Sequence, residues 1–226
     1  MNAVTDFAAL ESLSPAQQRT WLTEWLASGS TAGLALLDYL QQRAQKPVFP
    51  QVLDGCIYQL LWQANLPEVK ARFPQGVVPL QSAQGEDYRP LLDLILSEQW
   101  HAADTWTRQQ LCKLAGVEGR AWLYFTEVRR LPATDLQTMD ALWRLYSLGK
   151  FGFQVQRRVW LGCGRNWDKF WRAIGWYKDN TWPRYPDEFV WNLSAPAGHL
   201  PLWDQKRGVR SLEALLLHPA WERESA

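Results

Sequence analysis

The chain concentrates large aromatic side chains and arginines in one proline-rich stretch, Trp176–Arg210. Its aromatic residues are Trp176, Tyr177, Trp182, Tyr185, Phe189, Trp191 and Trp203, and its prolines are Pro183, Pro186, Pro196 and Pro201. Because proline interrupts helices, this stretch is predicted to be a long loop. Flat apolar rings beside Arg207 and Arg210 suit a flat apolar ligand with acidic groups, which guanidinium groups bind through paired hydrogen bonds.

The same residues also fit an interpretation without a binding site. A long loop can fold back and bury its own aromatic side chains. Arg207 and Arg210 can equally belong to a solvated basic turn. The residues alone therefore leave open whether the loop packs on itself or contacts a ligand.

The composition is that of a soluble globular protein with almost no net charge. The 226 residues are 47% hydrophobic and 21% charged, with a net charge of +1, 15 tryptophans and three cysteines. A charge this close to zero disfavours nucleic acid as a partner. The odd cysteine number argues against a disulfide framework. With no signal-peptide pattern and no long apolar run, the expected location is the cytosol of a bacterium.

Residue types that catalyse reactions are present, but no recognised catalytic pattern connects them. The sequence has no GxSxG, phosphate-binding loop or GxGxxG motif, and His101, His199 and His218 occur in unrelated contexts. His199 is expected to make structural hydrogen bonds. Asp104 and Asp135 are expected near helix N-termini or in polar networks rather than as paired acids. No catalytic residue and no metal site is predicted, so the protein is not expected to be an enzyme.

Apolar spacing and capping residues predict an all-α fold that begins with a small helical bundle, residues 1–80. Ser14-Pro15-Ala16-Gln17 forms a capping box at the start of one helix. Further helices are predicted over Thr31–Gln45, Val52–Ala64 and Glu68–Phe73. The proline- and glycine-containing segment Pro74–Glu86 is predicted to be a linker.

A larger helical core domain is predicted over residues 86–221. Its helices should cover Ala102–Ala115, Phe151–Leu161, Trp167–Ile174 and Ser211–Leu217, and another should start with a capping box at Thr134–Gln137. Two tryptophan pairs with four-residue spacing are expected to pack helices together: Trp21 with Trp25, and Trp167 with Trp171. The long aromatic loop lies near the end of this domain.

Three motifs in the second part resemble one known family. They are WHAADTWTRQQLCKLAG at Trp100–Gly116, LPATDLQTMDALWRLYSLGKFGFQVQ at Leu131–Gln156, and RYPDEFVWNLSAPAGHLP at Arg184–Pro201 followed by RGVR at Arg207–Arg210. Together they are similar to the cyanobacterial type of the Genomes Uncoupled Four family, which comprises tetrapyrrole-binding regulators of magnesium chelatase. The resemblance spans residues 86–221.

The resemblance implies a helical core shaped like a cupped hand, whose long loop closes over protoporphyrin IX or Mg-protoporphyrin IX. It also implies an N-terminal helical bundle and a non-enzymatic role in chlorophyll biosynthesis. The implied partner is the large porphyrin-binding subunit of magnesium chelatase. The protein is expected to be a monomer without a prosthetic group, and any contact with photosynthetic membranes is expected to be peripheral.

The resemblance also implies which residues contact the ligand. Carried over by position, they are Phe125, Val128, Phe189, Trp191, Asp204, Arg207 and Arg210. The two arginines would face the propionates. Two positions depart from the family pattern: Gln154, where a serine is expected, and Asp204, where a neutral amide is expected. A carboxylate at position 204 would alter metal preference or repel a propionate.

Two other classes of protein compete with a porphyrin binder. One is a helical protein-interaction module that binds no ligand. The other is a single-strand nucleic-acid binder, since stacked aromatic rings and arginines also suit bases, but the low net charge argues against it. A titration with protoporphyrin IX would separate these classes.

Overall fold

The computed structural model describes residues 7–46, 48–204 and 208–222. Over these residues the regular structure is helical, apart from one isolated bridge between Lys178 and Thr181. The predicted all-α class is therefore confirmed. The helices are α1 (Phe7–Ser12), α2 (Pro15–Leu26), α3 (Ser30–Ala44), α4 (Val52–Gln63), α5 (Pro67–Arg72), α6 (Arg89–Leu96), α7 (Trp100–Leu114), α8 (Phe125–Val128), α9 (Ala133–Tyr146), α10 (Phe153–Gly162), α11 (Trp167–Ala173) and α12 (Arg210–Leu216), followed by a 3₁₀ turn at Pro219–Trp221.

The chain divides into two compact units. The first runs to Val78 and also includes Leu145–Leu148. The second comprises Pro79–Arg144 and the chain from Gly149 onward. The independent folding of residues 1–80 and 86–221 stays a prediction.

The first unit is centred on helices α2, α3 and α4, which pack against one another. They bury a shared apolar core: Leu22, Leu36, Leu37, Ile57 and Leu61. Helix α2 begins at the predicted capping box, where the backbone N–H of Ser14 donates to Gln17 Oε1 at 3.1 Å. Local capping and apolar periodicity therefore suffice to predict this part of the chain.

The second unit is built around large aromatic side chains. Those that are almost fully buried are Trp100, Trp143, Tyr88, Phe151, Phe153, Trp160, Phe170 and Trp176. The indole N–H of Trp143 donates to Thr107 Oγ1 at 3.0 Å, which satisfies it inside the core. The predicted helix ends lie within two residues of those observed, as expected for helix termini.

Asp135 ties the first residues of the second unit to helix α9. Its fully buried carboxylate accepts hydrogen bonds from Ser82 Oγ (2.5 Å), the backbone N–H of Ala83 (2.9 Å) and the Tyr88 hydroxyl (2.7 Å). Burial and the neighbouring carboxylate both raise the pKa of Tyr88, so its hydroxyl remains a donor. The expectation of a polar network around Asp135 is confirmed.

The capping box predicted at Thr134–Gln137 is wrong. Helix α9 begins one residue earlier, at Ala133. The Gln137 side chain donates to the carbonyl of Ala220 at 2.7 Å instead of reaching back to the start of its own helix. A tertiary hydrogen bond thus replaces the local cap.

Both predicted tryptophan pairs are in contact. The ring centroids are 5.2 Å apart for Trp21 and Trp25, and 5.2 Å apart for Trp167 and Trp171. Trp171 also stacks on the buried Trp176, with centroids 5.6 Å apart. These rings join α11 to the start of the long loop.

Over the described residues, every helix is too short or too polar to cross a lipid bilayer.

The Asp135 network predicts where the first unit can be removed. A fragment that starts at Pro79 keeps Ser82 and Ala83, whereas one that starts at Gln84 loses both donors to Asp135. Hydrogen bonds to charged groups contribute about 1.5–3 kcal/mol each, so the shorter fragment should be less stable by about 3 kcal/mol. Urea unfolding followed by circular dichroism measures the difference.

Both fragments lack the chain up to Val78, so the loss of that part of the first unit cancels in the comparison. The substitution Ser82→Ala in the full chain checks the same network without truncation. Equal unfolding midpoints for the two fragments would contradict the structural importance of the Asp135 contacts.

Candidate functional site

Helices α8 and α12 pack against each other and form one side of an open groove in the second unit. The groove has a volume of about 590 Å³, within the range typical of small-molecule sites. Its lining residues are Phe125, Arg129, Arg210, Glu213, Ala214, Leu217, His218 and Pro219. Val128 is fully buried and supports α8 from the core side.

Two arginines give the groove a positive rim. The guanidinium of Arg129 lies 5.2 Å from the ring centroid of Phe125, and Arg210 is exposed at the first residue of α12. Glu213 supplies the opposing charge. His218 is almost fully buried, and burial lowers its pKa, which favours a neutral ring. The groove can therefore hold an apolar body whose acidic groups face Arg129 and Arg210.

A second, much smaller cavity lies at the chain segments just before α8 and α12. It has a volume of about 20 Å³, room for about one water molecule. Its lining residues are Arg108, Leu111, Cys112, Ala121, Trp122, Leu123, Trp203 and Asp204. Trp203 is held by a hydrogen bond from its indole N–H to Ser211 Oγ at 2.9 Å. A large ligand would fit here only if these side chains moved apart.

The aromatic loop forms a third cluster, which packs on helix α7. The ring centroids of Trp191 and His101 are 4.6 Å apart. The indole N–H of Trp191 donates to the carbonyl of Pro186 at 2.9 Å. Phe189 is 8% exposed and Tyr185 is 47% exposed. The loop aromatics therefore pack largely on one another in this structure, while Tyr185 keeps an open face.

His199 anchors this cluster through both of its ring nitrogens. Nδ1 lies 2.7 Å from the carbonyl of Ile174, and the backbone N–H of Val190 donates to Nε2 at 3.2 Å. Because Nε2 accepts, Nδ1 must carry the proton, and burial lowers the pKa of the ring. The expectation that His199 is a structural hydrogen-bonding residue is confirmed.

The structure distributes the predicted ligand residues over all three places. Phe125 and Arg210 share the groove, and Val128 is buried on α8. Asp204 lines the small cavity, and Phe189 and Trp191 belong to the loop cluster. Arg207 lies outside the described residues. Their contact with a ligand stays a prediction.

Sequence reasoning overlooked Arg129 and Arg108. Arg129 follows Phe125 by four residues, so helical spacing could have placed its side chain beside that ring. Arg108 gave no such signal, because its importance comes from contacts with a loop that is distant in sequence. Its Nη2 donates to the Tyr185 hydroxyl at 2.7 Å.

Among the described residues, no group of three or more histidines, cysteines or acidic residues is placed to hold a metal ion.

Comparisons with known proteins agree with the motifs. A family model described as GUN4-like matches residues 81–219. The Ycf53-like protein of Synechocystis sp. is 45% identical over 222 residues, which cover 95% of this chain and 94% of that protein. The chloroplastic tetrapyrrole-binding protein of Arabidopsis thaliana is 34% identical over 138 residues, 56% of this chain and 52% of that protein.

A solved structure has a similar fold. The structure of GUN4 from Chlamydomonas reinhardtii matches with a TM-score of 0.60 and 39% sequence identity, over 63% of this chain and 95% of that chain. With a family model that matches most of the second unit and a relative aligned along nearly the whole chain, the protein belongs to the Genomes Uncoupled Four, or GUN4-like, family.

Proposed function

We propose that this protein binds protoporphyrin IX and Mg-protoporphyrin IX in the second unit. The observation that carries the proposal is the groove in which Phe125 lies beside Arg129 and Arg210. The name of the Arabidopsis thaliana relative, a tetrapyrrole-binding protein, supports the same ligand class.

The chemistry of a porphyrin matches this arrangement. Its macrocycle has two wide apolar faces, and burial of apolar area contributes roughly 25 cal/mol per Å². Its two propionates are charged at neutral pH and should stay at the rim, because an unpaired buried charge is costly. Phe125 offers an apolar surface, and the arginines offer charge-assisted hydrogen bonds at the edge.

We further propose that the protein raises the activity of magnesium chelatase by presenting the porphyrin to its large porphyrin-binding subunit. In this role the chelatase carries out metal insertion, and this chain contributes ligand binding without turnover of its own. The proposed place of action is the bacterial cytoplasm beside photosynthetic membranes. The three free thiols, Cys56, Cys112 and Cys163, fit a reducing compartment.

The porphyrin proposal predicts saturable binding with about one site per chain. Protoporphyrin IX should quench the fluorescence of the 15 tryptophans and shift its own Soret band. A chelatase assay with magnesium, ATP and porphyrin should run faster when the protein is added, while the protein alone should insert no metal. A titration without quenching or a Soret shift at micromolar porphyrin would falsify the binding proposal and favour a ligand-free interaction module.

The two arginines at the rim of the groove should contribute to porphyrin affinity. Arg129→Ala and Arg210→Ala should each weaken porphyrin binding about tenfold, because each removes a charge-assisted hydrogen bond to a propionate. Arg89→Ala is the matched control, since Arg89 is an exposed arginine paired with Asp87 at a distance of 2.7 Å. Circular dichroism should find all three variants folded, because exposed arginines contribute little to stability.

A porphyrin dimethyl ester supplies a control on the ligand side. It lacks the propionate charges, so its affinity should differ little between the wild type and the two groove variants. Equal affinity of the double variant and the wild type for protoporphyrin IX would refute the assignment of Arg129 and Arg210 to the propionates.

A further inference from the structure

A buried ion pair lies between helix α7 and the aromatic loop. Asp104 is fully buried, and its Oδ2 is 3.1 Å from Nε of Arg108, one helical turn further on. Its other oxygen, Oδ1, accepts the backbone N–H of Leu202 at 2.5 Å. A carboxylate this deeply buried is stable only when it is paired and hydrogen-bonded, and both partners here are supplied.

Arg108 continues the connection to the opposite end of the loop. Its Nη2 donates to the Tyr185 hydroxyl at 2.7 Å, and its guanidinium carbon lies 5.0 Å from the Tyr185 ring centroid. His101 shares that hydroxyl, with Nε2 at 2.9 Å. The Asp104–Arg108 pair therefore contacts the loop near its start, at Tyr185, and near its end, at Leu202.

We propose that Asp104 and Arg108 are positioning residues that fix the two ends of the aromatic loop relative to each other and thereby shape the ligand site. The proposal rests on the proposed porphyrin binding for its effect on affinity. Trp203 and Asp204, which follow Leu202 directly, line the small cavity together with Arg108. A shift of Leu202 would therefore move two residues that line this cavity, one of which, Asp204, is a predicted ligand residue.

Ionisation of Asp104 is needed for both contacts at once. An ionised carboxylate accepts the Leu202 N–H and also carries the charge that pairs with Arg108, whereas a protonated acid or an asparagine is neutral and loses the ion pair. Burial is the largest influence on Asp104 and raises its pKa to about 6, against the opposing effect of Arg108. As the pH falls below about 6, the connection between the two loop ends should loosen.

Acidification should affect the stability of the fold and the connection between the loop ends in opposite directions. Because folding raises the pKa of Asp104, this group contributes stability that is present below its unfolded pKa and is lost as pH rises through about 6. Acidification should thus weaken the loop connection without a loss of global stability from this group. A merely structural role would change stability and affinity in the same direction.

The chain provides a matched control in Asp140 and Arg144. Asp140 is also fully buried, and Arg144 lies one turn further on, with Nε 3.7 Å from Oδ2. Its carboxylate accepts from the backbone and side-chain N–H groups of Gln154, at 2.8 and 2.9 Å. Asp140→Asn therefore repeats the chemistry of Asp104→Asn at a carboxylate that accepts from Gln154 of α10, whereas Asp104 accepts from Leu202 of the loop.

The test compares the wild type, Asp104→Asn and Asp140→Asn in the full chain. In the ligand-free proteins, hydrogen exchange should become faster at residues 182–204 only in Asp104→Asn. In titrations with protoporphyrin IX at about pH 7.5, Asp104→Asn should bind about tenfold more weakly, and Asp140→Asn should bind like the wild type. Arg108 keeps some contact with water, so unfolding of Asp104→Asn in urea should occur at an unchanged or higher concentration.

Lowering the pH to about 5.5 should protonate most of Asp104 and bring the wild-type affinity to within about threefold of that of Asp104→Asn. His101, Asp204 and the propionates are the same in both titrations, so the ratio of affinities isolates Asp104. Tyr185→Phe, which keeps the ring and removes the hydroxyl, should also accelerate loop exchange, and it serves if Asp104→Asn does not fold.

Unchanged loop exchange in Asp104→Asn and Tyr185→Phe would overturn the positioning role, as would equal effects of the Asp104 and Asp140 variants on loop exchange. Absence of porphyrin binding by the wild type would refute the proposed function instead, and the exchange experiment would still decide the role of Asp104.

Discussion

The second unit requires hydrogen-bond partners for the buried backbone groups of its long aromatic loop. Residues 177–204 contain no helix. Local turns pair some of their backbone groups, such as the N–H of Phe189 with the carbonyl of Pro186 at 3.2 Å, and the other buried N–H and C=O groups need partners from outside the loop. Side chains from the body of the unit supply the partners: Gln156 Nε2 donates to the carbonyls of Gly198 (3.1 Å) and Pro201 (2.7 Å), and Lys150 Nζ donates to that of Leu193 (2.5 Å). The loop is therefore fixed by polar side chains at a few points, and its aromatic rings fill the spaces between them.

These anchor points decide which aromatic side chains a ligand can reach. Phe189 is held against the His199 ring, with centroids 5.7 Å apart, and is 8% exposed. Tyr185 and Trp182 lie away from those anchors and are 47% and 43% exposed. Contact between Phe189 and a porphyrin would require the loop to move, whereas Tyr185 is accessible as it stands. The self-packing and ligand-contact interpretations are thus compatible, since one loop holds both buried and exposed rings.

Most helices could be predicted from sequence because their signals are local. The capping box at Ser14 and the apolar spacing along α4 each act within a few residues. The four-residue helix α8 is too short to show a period, so Phe125 was assigned to the site through the family resemblance alone. The loop rings could not be sorted into buried and exposed, because residues far along the chain, such as Gln156, determine their positions. Arg108 was missed for the same reason.

Two identical local patterns illustrate this limit. Asp104 and Arg108 have the same spacing as Asp140 and Arg144, both acids are fully buried, and both arginines lie on the same helix as their partner. A reader of the sequence would assign them one role. What separates them is the third group at each carboxylate, Leu202 of the loop in one case and Gln154 of α10 in the other. A buried aspartate therefore stabilises the start of a helix at position 140 and the aromatic loop at position 104. Only the tertiary hydrogen-bond partner distinguishes the two roles.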